Sequence, residues 1–301
     1  MLSETGLVRS VVVALSLGSL AFGVACSASS RTDPEDLRPG VPVGPQAPPS
    51  TAVPDSGDAG DGGNDGDGGG ATRVLRVMTY DIGHAERQGL EALAAVIRAE
   101  SPDLVGLADV DLGAPRTSSV NQAERLGQLT GMANLFRAAT SSGDAGANGV
   151  ALLSRYPMTG GERVVLPSPG EPRIVSTVDL DLGGAATMKV AVTALDAAEA
   201  SRAAQVAEVT KVLGSAPRSI LLGSLGGEPS EPSIVTLSAA MNDAWSLVSD
   251  GGGATFPADV PTRRLDYVFV GKGLAKPTRV VVPDAGAAAF HRPVVCDIPV
   301  P

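Results

Sequence analysis

From residue 27 to residue 72 the chain offers almost nothing to bury. Ser, Pro, Gly and Asp dominate, aromatic residues are missing and large apolar ones are few. Such a segment cannot offset the entropy lost when its backbone is ordered, so it is expected to be a flexible tether. Any fold must therefore be built from what flanks it. On one side, Val11 to Ala25 is an apolar run too short to span a bilayer comfortably, the pattern of an export signal. On the other, residues 73–301 are long enough for one large domain with a substantial core. The chain thus divides into an export signal (1–26), a linker (27–72) and a globular body (73–301).

The signal ends Gly23-Val24-Ala25-Cys26, and small residues before a Cys resemble a bacterial lipoprotein cleavage site. That resemblance makes Cys26 the lipidated first residue, although a Leu is expected where Gly23 stands. The chain is then exported to the cell envelope and lipid-anchored to a membrane, with ordinary secretion as the alternative. The acidic tract from Asp61 to Gly70 invites a calcium reading and fails it. Nonapeptide calcium repeats need several copies with an apolar residue in each, and an EF-hand loop needs Glu where Arg76 falls. The tract is a spacer.

Charge follows the same division. The linker carries 8 acids and 2 Arg, so it supplies −6 of the formal −10; residues 73–301 carry 24 acids and 20 bases, leaving −4. An acidic body lacks the basic face expected of a duplex-DNA binder, so charge does not favour nucleic acid as a partner. A metal-bridged phosphate ester remains compatible with it. If Cys26 is acylated, Cys296 stands alone in the apolar stretch Pro-Val-Val-Cys-Asp-Ile-Pro, and is expected to be a buried, inert thiol.

Within the body, alternation predicts strands at Val74–Tyr80, Leu104–Leu107, Gly149–Ser154, Arg163–Leu166, Arg173–Leu182 and Thr187–Thr193. Later strands are predicted at Ile220–Leu222, Leu265–Val270, Arg279–Val282 and Val294–Ile298. Helical spacing of apolar residues predicts helices at Gln88–Glu100, Asn121–Leu129 and Ala197–Leu213. Strands outnumber helices and several follow one another directly, which favours mixed sheets over a doubly wound parallel one.

Several segments, in order, resemble those of the endonuclease/exonuclease/phosphatase superfamily. Leu75-Arg-Val-Met-Thr-Tyr-Asp-Ile82 resembles its opening LRVMTWNI strand, and Asp103-Leu-Val-Gly-Leu-Ala-Asp-Val-Asp111 its DVVALQEVD. Gly149-Val-Ala-Leu-Leu-Ser-Arg-Tyr-Pro157 resembles GNALLSRYP, and Val192-Thr-Ala-Leu-Asp196 resembles VTHLD, with Arg202 and Gln205 following as in R-x-x-Q. Gly223-Ser-Leu-Gly226, with Pro229, matches the frame of GDFN-x-x-P. Thr255-Phe-Pro257, Arg264-Leu-Asp-Tyr-Val-Phe269 and Phe290-His291-x-Pro293 complete the series. The resemblance implies an α/β (α+β) fold: a four-layer sandwich of two packed mixed β-sheets flanked by helices.

It also implies a site, and here the chain departs from the family. Asp266 and His291 stand at retained catalytic positions, where the carboxylate fixes the imidazole tautomer. Asp81 replaces the phosphate-holding Asn, and Asp109 replaces the metal-binding Glu with a side chain one methylene shorter; both remain candidate metal ligands. Four positions have lost their functional group: Ala194 replaces the first His, Ser224 and Gly226 the Asp and Asn, and Phe290 the Asp beside the terminal His. Losing one oxyanion donor costs about 10² to 10³ in rate and losing a general base about 10² to 10⁴.

The resemblance then implies an exported domain whose catalysis is impaired and which acts as a binding or scaffolding module. The alternative is an active, divergent metal-dependent phosphodiesterase or phosphatase using Asp81 and Asp109, with His291 or His84 as base. Magnesium or another divalent cation is the expected cofactor if the chain is active, and none is required otherwise. A phosphate ester is the expected ligand class. Ser224 does not make a nucleophile elbow, because the first Gly of G-x-S-x-G is Leu222. Trp245 is expected in the core, and Arg263 and Arg264 on a solvated edge.

Overall fold

The computed structural model describes residues 73–300 apart from 141, 142, 184–186 and 215; the signal, Cys26 and the linker lie outside the described residues. Two sheets form the centre. The first contains β1 (Arg73–Asp81), β2 (Leu104–Leu112), β3 (Ala133–Ala138), β4 (Ala147–Ser154), β12 (Arg279–Val281) and β13 (Val294–Val300). Its order is β12-β13-β1-β2-β4-β3. The second runs β10-β11-β9-β8-β7-β5, with β6 also pairing to β7. Its strands are β5 (Met158–Thr159), β6 (Arg163–Leu166), β7 (Arg173–Asp181), β8 (Thr187–Ala194), β9 (Ser219–Ser224), β10 (Asn242–Asp243) and β11 (Asp266–Val270).

Each sheet is mixed. Among the described residues only β1 with β2, and β8 with β9, run parallel; each pair is joined through a helix as a parallel pair requires. The helices are α1 (Gly89–Glu100), α2 (Gln122–Thr130), α3 (Glu199–Leu213), α4 (Pro232–Ala240) and α5 (Ala244–Val248). Alternate residues of every central strand face opposite ways, and the apolar clusters follow that parity. Leu75, Val77, Leu104, Ile220, Leu222, Val268 and Val270 meet between the sheets. Met78, Tyr80, Val105 and Leu107 pack under α1 and α2, while Leu221, Tyr267 and Phe269 pack with α3 and α4. The result is helix, sheet, sheet, helix, the four-layer arrangement the sequence implies.

One glycine sets how closely the sheets approach. Gly106 lies on the inter-sheet face of β2, where a Cβ would fall 2.6 Å from the Cβ of Leu222. Any side chain there would wedge the sheets apart at their midpoint.

Beyond the two-residue strands β5 and β10 and the short 3-10 turns, the sequence reading omitted three elements. β3 is a half-exposed edge strand without clean alternation. Helix α4 starts at Pro232, is rich in Ser and Thr and lacks an amphipathic pattern. Helix α5 spans one turn, capped by the Asp243 carboxylate accepting from the Trp245 amide. Two side chains also depart from expectation. Arg264 is buried rather than solvated, because its guanidinium pairs with the Asp243 carboxylate at 2.6 Å and lies 4.7 Å over the Tyr267 ring. Trp245 is only half-buried: it packs against the inter-sheet cluster but turns its indole N–H outward to the Gly251 carbonyl at 2.5 Å. Arg263 does lie at the surface, paired with Glu228. Cys296 is fully buried, and burial pushes its thiol up to about 12, an inert state.

Candidate functional site

At one end of the sandwich, strands from both sheets run out together. Asp81 ends β1, Asp109 lies near the end of β2, Ala194 ends β8, Ser224 ends β9 and Asp266 begins β11. Asp266 sits directly across from Ser224, which sits across from Ala194. By parity with Val268 and Val270, the Asp266 side chain faces between the sheets.

Asp266 is 1 % exposed and holds the centre of the site. Its Oδ2 accepts from the Thr255 hydroxyl at 2.6 Å and from His291 Nδ1 at 2.7 Å. A carboxylate can only accept, so Nδ1 carries a proton and Nε2 faces the cleft. Asp266 Oδ1 is buried with no hydrogen-bond partner among the described residues. His291 Nε2 lies 3.9 Å from Asp81 Oδ2, and the ring tilts against Phe256 with centroids 4.8 Å apart. Burial alone would lower the imidazole's pKa; the charge and hydrogen bond of Asp266, with Asp81 and Asp109 beyond it, push it up to about 9. At neutral pH the ring is therefore an imidazolium among carboxylates.

Asp109 is placed by backbone irregularity. The β2–β4 ladder slips between Leu107 and Val110, and within that bulge Asp109 adopts a left-handed φ of 51°. A bulge re-aims a side chain that regular pleating would direct elsewhere. Burial, then the charge of Asp81, raise the Asp109 carboxyl, opposed by His84, Arg173 and His291. Arg173, the first residue of β7, approaches Asp109 at 3.5 Å, Asp196 at 3.2 Å and Glu171 at 2.9 Å. The expected metal acid thus faces a guanidinium. His84, the alternative base, belongs to a neighbouring network: its Nδ1 lies 3.3 Å from Asp111 and 3.2 Å from the Asn148 amide. Arg116 grips the same Asp111 through two hydrogen bonds of 2.7 and 2.8 Å.

The four replaced positions behave differently from one another. Ala194 and Ser224 sit at the ends of their strands, each 7 % exposed. The space between Asp109, Asn148, Arg173 and Ala194 is only about 10 Å³, room for about one water. Gly226 has a φ of +66°, and a Cβ there would meet the Asp196 carbonyl oxygen at 2.9 Å. Phe290 does not fill the site. It is 44 % exposed, with its ring against Gly83 and the Arg87 guanidinium 5.4 Å from its centroid.

Arg202 and Gln205 hold the strand exits in place. Arg202 is fully buried and donates to the carbonyls of Asp196, Ala197 and Gly226, to Ser233, and to the carboxylates of Glu199 and Glu231. Gln205 accepts from the Asp196 amide and donates to its carboxylate. Thr255 and Arg173 are the functional neighbours that sequence reading missed. Thr255 stands in one of the family-like segments but without a role read from it, and Arg173 has no signature; each matters only through a partner distant in the chain.

The profile of the endonuclease/exonuclease/phosphatase family matches residues 78–293. The chain belongs to that family. Among solved structures, the endonuclease/exonuclease/phosphatase from Beutenbergia cavernae DSM 12333 is 27 % identical, with a TM-score of 0.60 over 76 % of this chain and 72 % of that one. A family protein from Bacteroides thetaiotaomicron is 15 % identical, with a TM-score of 0.65 over 76 % and 99 % of the two chains. The human Nocturnin catalytic domain with bound sulfate is 19 % identical, with a TM-score of 0.58 over 76 % and 96 %. These last two share the fold. A search of curated proteins finds no match.

Members of this family typically depend on a divalent metal. Asp81, Asp266 and His291 each offer one ligand atom, and these atoms lie within 4.8 Å of one another. Two carboxylates and an imidazole are donors that suit a divalent cation, which would have to displace the proton that His291 carries at neutral pH.

Proposed function

We propose that this chain is a family member with impaired hydrolysis that binds phosphate esters at the cell envelope. The observation that carries the reading is the pairing across the sheet. Opposite the intact Asp266–His291 pair stand Ser224 and Ala194, with no group able to deprotonate water, and little free space beside Ala194. A phosphoryl group meeting an imidazolium at His291 is bound through a charge-assisted hydrogen bond. A divalent cation at the Asp81, Asp266 and His291 cluster would bind in place of the imidazole proton rather than beside it, and would neutralise the phosphoryl charge in its stead. Asp266 holds the ring in orientation, and Thr255 holds Asp266.

The apolar run before Cys26 and the acidic linker support export and lipid anchoring, with the body displayed on a tether. A second reading, a divergent active hydrolase, draws on the 2.7 Å Asp266–His291 contact and the nearby Asp81. Assay of the full chain on generic phosphodiesters and phosphomonoesters with magnesium, manganese or calcium separates the two. Turnover abolished by Asp109→Ala and His291→Ala would establish the active reading. Without turnover, the parent should gain activity when Ala194→His and Ser224→Asp are introduced together, if lost groups are what silence it.

A further inference from the structure

Next to the narrow space at Asp109 and Ala194, and sharing Asn148 with it, lies a cavity of about 310 Å³. That volume stands at the lower end for small-molecule sites, enough for a single ring. Its floor is Asp111 and Asn148, buried residues directly paired across β2 and β4. Residues 113–116 and 145–147 meet so closely beside it that a Cβ on Gly146 would fall 2.5 Å from the Ala114 amide nitrogen.

The charges around this cavity are already matched. Arg116 donates to Asp111 through Nε and Nη2, and Glu171 pairs with Arg173 at 2.9 Å. What remains is neutral hydrogen-bonding capacity. Among the described residues, Arg116 Nη1, the second Glu171 oxygen and the Asn148 carbonyl oxygen make no hydrogen bond. Thr140 accepts from the Asn148 amide at 3.0 Å, so its hydroxyl proton is left to donate. Two donors and two acceptors suit hydroxyl groups, each of which both donates and accepts. No aromatic or long apolar side chain lines the cavity among the described residues. That argues against a nucleobase, which is held by stacking, and against an acyl chain, which is held by apolar area.

We propose that this cavity takes the alcohol part of the phosphate ester, and that this part is a hexose. The inference rests on the reading that the chain binds phosphate esters at His291. Asp81, beside His291, pairs with Ala108 on β2, and Asp111 lies three residues further, about 10 Å along the strand. A phosphoryl group with one pyranose ring attached covers that span. Arg116, Thr140, Asn148 and Glu171 then meet the ring hydroxyls, while Ala114 and Pro115 face its carbon-bound hydrogens.

The test uses the full chain in metal-free buffer at neutral pH. Calorimetry compares glucosyl, galactosyl and mannosyl phosphate with phenyl phosphate and inorganic phosphate. At least one hexosyl phosphate should bind about tenfold tighter, or more, than either control. Thr140→Val and Glu171→Gln should each remove about fivefold of that advantage, with inorganic phosphate binding within about twofold of its parent value. Thermal melts report the folding of each variant, and the comparison on the parent needs none. Phenyl phosphate binding as tightly as the best hexosyl phosphate overturns the inference and leaves the phosphate-ester reading standing. So does an advantage that both variants retain. Failure of every phosphate to bind overturns the phosphate-ester reading and the hexose site with it.

Discussion

Replacing Asp266 with Asn should bring the His291 imidazole down from its position near 9. The ring is buried, and burial alone would hold its pKa below the ordinary 6.5. What overcomes burial is first the charge and then the hydrogen bond of Asp266, with smaller help from Asp81 and Asp109. Asparagine keeps the shape and removes the charge, so His291 should titrate near or below 6.5. The gap between 6.5 and about 9 corresponds to about 3 kcal/mol of preference for the charged ring in the folded state. Because the folded value lies above the unfolded one, this stabilisation is fully present below pH 6.5. It is lost progressively as the pH rises through about 9. The chain has two His, so a proton–carbon NMR titration of the ring signals resolves both, and His291→Ala assigns them. Parallel urea melts at pH 6.5 and pH 9.5 should show the parent losing more stability across this window than Asp266→Asn does. A His291 that titrates near 6.5 in the parent, or that is unmoved by Asp266→Asn, would refute the reasoning.

Arg202→Met should destabilise the body by about 3–5 kcal/mol, the usual consequence of breaking a buried charge network by removing one partner. Calorimetry should show a fall of about 6–20 °C in Tm, and a change under 1 kcal/mol would contradict the role given to this clamp. Gly226→Asn, the substitution that restores the family residue, should cost about 1–3 kcal/mol, since its Cβ meets the backbone of Asp196 and Ala197. Denaturant titration of that variant decides the point. Cys296 should resist thiol reagents in the folded chain and react on unfolding; fast labelling under native conditions would contradict its burial.

Much of this molecule was open to reading from residue order alone. Ten strands and three helices follow from alternation and helical spacing, because a two-sided sheet and a helix packed on it impose those periods on apolar residues. The series of segments from Leu75 to Pro293 was enough to imply the family, and it placed Asp266 and His291 together although 25 residues separate them. What the sequence could not carry is whatever depends on two distant parts meeting at close range. Asp109 was read as a metal ligand, and only the bulge in β2 and the approach of Arg173 from the second sheet show it paired with a cation already. Phe290 was read as a lost acid, but only packing turned it outward onto Gly83 and Arg87. Residue identity determined which groups were available. Tertiary structure decided their charge and their partners, because burial and ångström-scale distances control electrostatic energy and neither is written in one stretch of chain.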